Sequence, residues 1–275
     1  MNKLATIKQA QIIAALVEGN SIRATCRMTG AAKGTVLKLL ANVGQACSDY
    51  QNKTLRNLTC QRIQCDEIWS FCYAKEKNVP KDKQGQFGFG DVYTWTALDA
   101  DTKLMVSWFV AKRDVPSAKL FMEDVAERVV NRVQLTTDGL RAYLVAVEEA
   151  FGADVDFSQL VKLYGGSVDD SDIKYSSAKC TSQVKTEISG NPDMAHVSTS
   201  YVERQNLTMR MSMRRFTRLT NAFSKKIENL EHAVALHFMY YNFCRIHQTL
   251  RVTPAMEAKI TDHVWKIEEV LNLLK

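Results

Sequence analysis

The sequence lacks the features that mark several classes of protein. No stretch approaches the roughly 18 to 20 consecutive apolar residues of a membrane-spanning helix, and the opening segment MNKLATIKQAQ has no apolar signal-peptide core. Internal repeats, coiled-coil heptads and a glycine-rich phosphate loop are also absent from the sequence. Since 46% of the 275 residues are apolar, the chain can bury a sizeable core. We therefore expect a soluble, cytoplasmic protein.

Cysteine usage excludes two further classes. The number of cysteines is odd and no CxxC pair occurs, which argues against a disulfide framework and against a zinc ribbon. We expect free, mostly buried thiols. The seven are Cys26, Cys47, Cys60, Cys65, Cys72, Cys180 and Cys244.

Charge is unevenly distributed along the chain, although the net charge is only +6. Residues 1–60 carry eight Lys or Arg against two acids, residues 61–200 carry 16 against 21, and residues 201–275 carry 12 against 7. Two basic ends around an acidic centre suit a protein that binds phosphates at its ends and collects carboxylates in between. Ordinary solvated faces remain the alternative.

The first 50 residues predict a helix-turn-helix DNA-binding domain. Apolar residues recur at helical spacing, Ser21 is a good N-cap, Gly30 breaks the chain, and a third helix spans residues 31–47. Residues 51–60 form the predicted linker. A plain three-helix packing module is the alternative. Three side chains would face outward toward a DNA major groove, namely Lys33, Thr35 and Lys38.

The predicted α/β domain spans residues 61–252. Alternation predicts three antiparallel strands in RIQCDEIWSFCYA, VYTWTALDA and KLMVSWFVAKR. A helix capped by Ser117 and running to Val130, a short strand ending at Asp138, a helix over 141–151 and a fifth strand from Val155 follow, in βββαβαβα order. Residues 165–200 are polar without a clear period. Further helices are expected over 200–216, 224–245 and 254–273, so a C-terminal helix fills most of a final segment, 253–275.

Three acids occupy positions suited to phosphoryl transfer with two metal ions. Such chemistry needs hard oxygen ligands that bring two cations to within about 3.5 to 4 Å of each other. Asp66 lies in the first strand, Asp138 at the end of a later strand, and Glu203 on a helix. Strand alternation places Asp66 and Glu67 on opposite faces, so only one of them is expected to share a site with Asp138. Alternation does not decide which, and a turn or helix cap is the simpler explanation of Asp138.

Glu203 leads a basic helical stripe. Residues 201–226 contain seven Lys or Arg but one acid, an arrangement that would place a phosphate backbone beside bound metals. A solvated basic face is the alternative, but it leaves the single acid unexplained. The side chains expected to contact DNA here are Arg204, Asn206, Arg210, Arg214, Arg215, Arg218, Lys225 and Lys226.

Three segments in order resemble the catalytic core of bacterial transposases of the insertion sequence one family. They are CDEIWSF (65–71), TTDGLRAY (136–143) and STSYVERQNLTMRMSMRRFTRLTNAFSKKIE (198–228). The segment YNFCRIHQTLRVTPAMEA (241–258) is similar to the closing part of integrase-like transposases. There His247 could contact DNA or the active site, or serve as a structural cap.

The resemblance implies a ribonuclease-H-like mixed sheet flanked by helices and a DDE triad of Asp66, Asp138 and Glu203. It also favours Asp66 over Glu67 and implies Mg²⁺ or Mn²⁺, two ions per active site. The expected activity is cleavage of transposon ends and transfer of the 3′-hydroxyl to target DNA by a nucleoid-associated homodimer or larger assembly. Members of the family often carry an amino-terminal zinc finger, for which this sequence has no CxxC pair. Two alternatives are a non-catalytic DNA-binding regulator and a structure-specific nuclease without strand transfer.

Overall fold

The computed structural model describes residues 4–164, 180–217 and 221–275. Two sequence predictions fall wholly or partly outside these ranges: the DNA contact expected of Arg218 and the first part, 165–179, of the polar segment 165–200. None of the helices in the described ranges combines the length and the apolar character needed to cross a bilayer. The seven cysteines all lie within the described ranges, and all are free thiols, four of them buried.

Three helices open the chain, as predicted. They are α1 (Thr6–Val17), α2 (Ile22–Thr29) and α3 (Lys33–Thr54). The Ser21 side chain accepts a hydrogen bond from Ala24 N at 3.1 Å and caps α2, and Gly30 ends α2 with a φ of 69°. The predicted end of α3 near Cys47 is wrong. The helix continues because Gln51, although polar, is fully buried and donates to Ala235 O at 3.2 Å.

The sheet has six strands in the order β3-β2-β1-β4-β5-β6. Strands β1 to β3 are antiparallel, β1, β4 and β5 are parallel, and β6 is antiparallel to β5. The bounds are β1 (Arg62–Cys72), β2 (Gly90–Asp99), β3 (Met105–Ala111), β4 (Val133–Thr137), β5 (Val155–Tyr164) and β6 (Cys180–Ser189). The first five were predicted. Strand β6 was not, because its residues are almost all exposed and show no alternation of apolar side chains.

The remaining helices are α4 (Val115–Ala126), α5 (Ala142–Phe151), α6 (Ser200–Ser212), α7 (Ile227–Met239), α8 (Pro254–Glu257) and α9 (Ile267–Asn272). Asp114, not Ser117, caps α4: its carboxylate accepts from Ser117 N at 3.0 Å. The helix also ends at Ala126 rather than Val130, and α6 and α7 are shorter than predicted, each with a short 3₁₀ or π turn after it. The predicted helix over 254–273 is two short helices, because Lys259 takes a left-handed φ of 59° between them.

One hydrophobic cluster joins the first three helices to the sheet and to α7. Helix α3 packs closely on α7, where Gly44 is needed: a Cβ there would lie 2.5 Å from the Cβ of His232. Asn242 then fastens the turn after α7 to the sheet, since its side-chain amide pairs with both Met105 N and Met105 O at 2.9 and 3.0 Å. The mixed sheet flanked by helices is consistent with the ribonuclease-H-like fold that the resemblance implies.

Candidate metal centre

Two acids meet where β1 and β4 lie side by side. These strands are parallel, and Cys65 pairs with Thr137 in the last register position. Asp66 follows Cys65 on β1, and Asp138 follows Thr137 at the end of β4, so strand pairing brings the two acids together. Strand β4 ends there, and the β1 backbone continues past it.

Three carboxylates form a group that could hold a metal ion. One oxygen from each of Asp66, Glu67 and Asp138 lies within 4.8 Å of the others. The expectation that only one of Asp66 and Glu67 shares a site with Asp138 is therefore wrong. Asp138 has left its strand and is not confined to one face of the sheet, and the longer Glu67 side chain reaches it. A set of carboxylate oxygens suits a hard divalent cation such as Mg²⁺ or Mn²⁺.

Asp66 is held by neutral donors. Its Oδ1 accepts from the backbone N of Glu67 at 2.8 Å, and its Oδ2 accepts from Asn206 Nδ2 on α6 at 2.9 Å. Burial, followed by the charge of Asp138, raises the pKa of Asp66 to about 6, although the two hydrogen bonds lower it. The side chain is therefore positioned but lacks a cationic partner among the described residues.

Glu67 is the most buried of the three, with 1% of its side chain exposed. Its Oε2 accepts from Arg113 Nε at 2.9 Å, but its Oε1 has no partner at regular hydrogen-bond geometry, and neither does the nearby hydroxyl of Tyr143. Burial, followed by the charge of Asp138, raises the pKa of Glu67 to about 7, although Tyr143 and Arg113 both lower it.

Asp138 has two structural contacts besides its place in the cluster. Its Oδ1 accepts from Leu140 N at 3.0 Å, which closes a turn, and its Oδ2 accepts from Arg113 at 3.3 Å. The next residue must be small, because a Cβ on Gly139 would lie 2.8 Å from the Val161 side chain. The turn and the metal-ligand explanations of Asp138 are thus compatible.

Glu203 lies outside the group of three acids. Lys162 on β5 contacts both of its carboxylate oxygens at 2.5 Å, and Thr199 Oγ1 donates to Oε1 at 2.6 Å. Its charge still raises the pKa of Asp66, as the smallest of the contributions to that shift. Gln64 on β1 fastens the start of α6, since its Oε1 accepts from Tyr201 N and Val202 N at 2.9 and 3.2 Å.

The residues predicted to contact DNA differ in exposure. Asn206 is buried against Asp66, with 7% exposed, and Arg215 is half-buried and donates to Ser224 Oγ at 2.6 Å. Arg210, Thr35 and His247 are also half-buried, and His247 lies 3.0 Å from Thr249 Oγ1. The exposed members are Lys33, Lys38, Arg204, Arg214, Lys225 and Lys226.

No sequence-family model matches the chain, and no curated protein sequence matches it. Among solved structures, it is similar to piggyBac transposase in a synaptic complex with hairpin DNA. The TM-score is 0.48 and the identity 10%, over 99% of this chain and 72% of that one.

It is also similar to Mos1 transposase in a paired-end complex with the left transposon end, with a TM-score of 0.23 and 12% identity over 54% of this chain and 58% of that one. For the Mos1 strand transfer complex the values are 0.24 and 10%, over 86% and 78%. At these identities and TM-scores the residues of the site, rather than the likenesses, carry the function proposed below.

Three residues of the site were not among those predicted from the sequence, namely Arg113, Lys162 and Glu67. Arg113 follows β3 and Lys162 lies within β5, and neither position has a local pattern that points to the acids. Glu67 does have a signal, because a second acid in an apolar strand is costly unless something pairs with it. Alternation allows only one of Asp66 and Glu67 at the site, and the family resemblance favours Asp66, so Glu67 was not among the predicted ligands.

Proposed function

We propose that this chain is a DNA transposase that cleaves the ends of a mobile element and joins the freed 3′-hydroxyl to target DNA. The observation that carries the proposal is the meeting of Asp66 and Asp138 where β4 ends beside the middle of the parallel strand β1, with α6 fastened beside them through Asn206 and Gln64. The resemblance of residues 65–71, 136–143 and 198–228 to insertion-sequence transposases points to the same chemistry.

In this proposal, Asp66, Asp138 and Glu203 are the catalytic carboxylates and hold Mg²⁺ or Mn²⁺, two ions per active site. When bound, such ions supply activation of the attacking oxygen and stabilisation of the leaving oxygen. Asn206 orients Asp66, which is a different role from the phosphate contact expected of it. To join the other two acids, Glu203 must give up its ion pair with Lys162.

DNA binding is assigned to two groups of side chains. Lys33, Thr35 and Lys38 on α3 would enter a major groove at the inverted repeats, in the manner of a helix-turn-helix. Arg204, Arg210, Arg214, Arg215, Arg218, Lys225, Lys226 and His247 would hold the backbone near the acids. The proposed division of the chain has four parts. Residues 1–50 are the DNA-binding domain, 51–60 the linker, 61–252 the catalytic domain and 253–275 the C-terminal segment. Because two ends must be cut and joined together, a homodimer or larger assembly on DNA is expected.

The test is metal-dependent nicking of labelled duplexes that carry the DNA sequences flanking the gene. Glu203→Ala should abolish cleavage and leave duplex binding intact, because binding depends mainly on α3 and the basic residues. Cleavage at the wild-type rate by this variant would contradict the assignment of Glu203. A strand-transfer assay on the same duplex separates a transposase from a nuclease, which would cut the ends but join nothing.

A further inference from the structure

The group formed by Asp66, Glu67 and Asp138 carries more negative charge than its surroundings compensate. Within residues 4–164, 180–217 and 221–275, Arg113 is the cation that forms ion pairs with these acids. Asp66 receives neutral donors instead. Against three carboxylates, one guanidinium leaves a deficit of two charges, which is the charge of one divalent cation. Glu203, by contrast, already has Lys162.

Glu67 gives an independent reason to expect a ligand at this place. With 1% of its side chain exposed, it cannot be solvated by bulk water. Its Oε1 is buried and makes no hydrogen bond of regular geometry with the described residues, and the nearby Tyr143 hydroxyl contributes only a weak interaction. A buried polar oxygen without a regular partner costs free energy. A cation beside Oε1 would remove that cost and would also offset the mutual repulsion of the three acids.

The spacing of the acids suits a single ion. Oxygen ligands lie about 2.0 to 2.6 Å from Mg²⁺ or Ca²⁺, so two ligands on opposite sides of one ion are about 4 to 5 Å apart. One carboxylate oxygen from each of the three acids lies within 4.8 Å of the other two. One ion could therefore contact all three with small side-chain movements and without a change in the backbone.

We propose that Glu67 is a metal ligand, which together with Asp66 and Asp138 binds one divalent cation. The Arg113 guanidinium competes with that ion for Glu67 and Asp138. This inference rests on the proposed function for its metal, and it adds to the expected triad a fourth carboxylate, on β1. The site then consists of two neighbouring residues of β1, Asp66 and Glu67, and of Asp138 in the turn after β4.

The experiment is titration of the full-length protein with Mn²⁺ alone, by calorimetry and by the loss of the free-ion electron paramagnetic resonance signal. Glu67→Gln keeps the size and shape of the side chain and should weaken Mn²⁺ binding at least about tenfold. The matched control is Glu149→Gln, whose exposed carboxylate pairs with Lys119 on the surface. It should bind as the wild type does. Arg113→Gln should tighten binding, because the competing cation is gone.

Two results would overturn the inference: wild-type affinity in Glu67→Gln, or weaker binding in Arg113→Gln. Melting temperature without Mn²⁺ verifies folding, and Glu67→Gln should melt no lower than the wild type because it no longer buries an ionisable carboxyl. Asp66→Asn separates this inference from the proposed function. If Asp66→Asn abolishes binding and Glu67→Gln does not, only the role of Glu67 fails. If Asp66→Asn also binds Mn²⁺ normally, the metal centre of the proposed function fails.

Discussion

The carboxylates on the two sides of the site have different partners. In the middle of the sheet, where β4 ends beside β1, Glu67 and Asp138 share a single guanidinium, from Arg113, and among the described residues Asp66 has only neutral donors. At the start of α6, Glu203 has an ammonium group and a hydroxyl to itself. Burial raises the pKa values of two of these three acids, Asp66 and Glu67.

This difference shows that the surroundings of a carboxylate decide how readily it binds a metal ion. A carboxylate left short of positive charge in a buried place attracts a cation from solution, at a cost in stability. A carboxylate that already has a basic partner must first give that partner up. The group formed by Asp66, Glu67 and Asp138 is therefore the expected first binding place for a metal, and Glu203 is expected to join later.

The largest expected effect is the loss of metal binding by the group formed by Asp66, Glu67 and Asp138. Asp66→Asn takes away the carboxylate that Asn206 orients, so Mn²⁺ affinity should fall about 100-fold or more, since loss of a direct ligand exceeds the 10 to 100-fold typical of outer-shell residues. Calorimetric titration measures it. Asp82→Asn, in the exposed turn before β2, is the control and should not alter affinity. A small effect of Asp66→Asn would remove the distinction between the two sides.

The second prediction concerns pH. Because the folded protein raises the pKa of Glu67 to about 7 and of Asp66 to about 6, it binds protons that the unfolded chain releases above its ordinary carboxyl pKa. Without metal, the free energy of unfolding should therefore fall as pH rises from about 4.5 to 7 and then level off. For Glu67, whose pKa is raised from 4.5 to about 7, the expected fall is on the order of 3 kcal/mol. Urea denaturation at several pH values measures it.

Glu67→Gln is the comparison for this pH series. It should show a smaller fall, since the remaining contribution comes from Asp66. An identical pH dependence in the wild type and this variant would show that Glu67 does not titrate in this range.

The third prediction releases Glu203. In Lys162→Met the carboxylate loses its ion pair and can turn toward Asp66, so Mn²⁺ affinity should rise roughly fivefold, the equivalent of an ion pair of about 1 kcal/mol. Lys119→Met, which breaks an exposed ion pair with Glu149, is the control. Unchanged or weaker binding in Lys162→Met would show that Lys162 does not hold Glu203 back from the metal.

The smallest effect concerns the anchor of α6. Gln64→Ala removes the side-chain oxygen that accepts from Tyr201 N and Val202 N. The loss of such a cap should lower the free energy of unfolding by about 1 kcal/mol. Gln86→Ala, which removes an exposed side chain, should change it far less. Equal losses in the two variants would mean that Gln64 does not fasten the helix.

Local sequence patterns predicted most of the fold but less of the site. Five strands and their order along the chain follow from alternation and turn residues. Strand β6 was missed because an exposed edge strand has no apolar face to repeat. The end of α3 was misplaced because Gln51 is polar yet buried, through a hydrogen bond to Ala235 that is 184 residues away in the sequence.

By itself, the sequence determined which residues are acids, which of them stand in strand, turn and helix patterns, and that a basic stretch follows Glu203. Only the tertiary structure decided their partners. Parallel pairing of β1 with β4 brings Asp66 to Asp138, and the end of β4 lets Glu67 reach the same place. The packing also places Arg113 beside Glu67 and Lys162 beside Glu203. Charge balance depends on distances between residues far apart in the chain, and no local pattern encodes those distances.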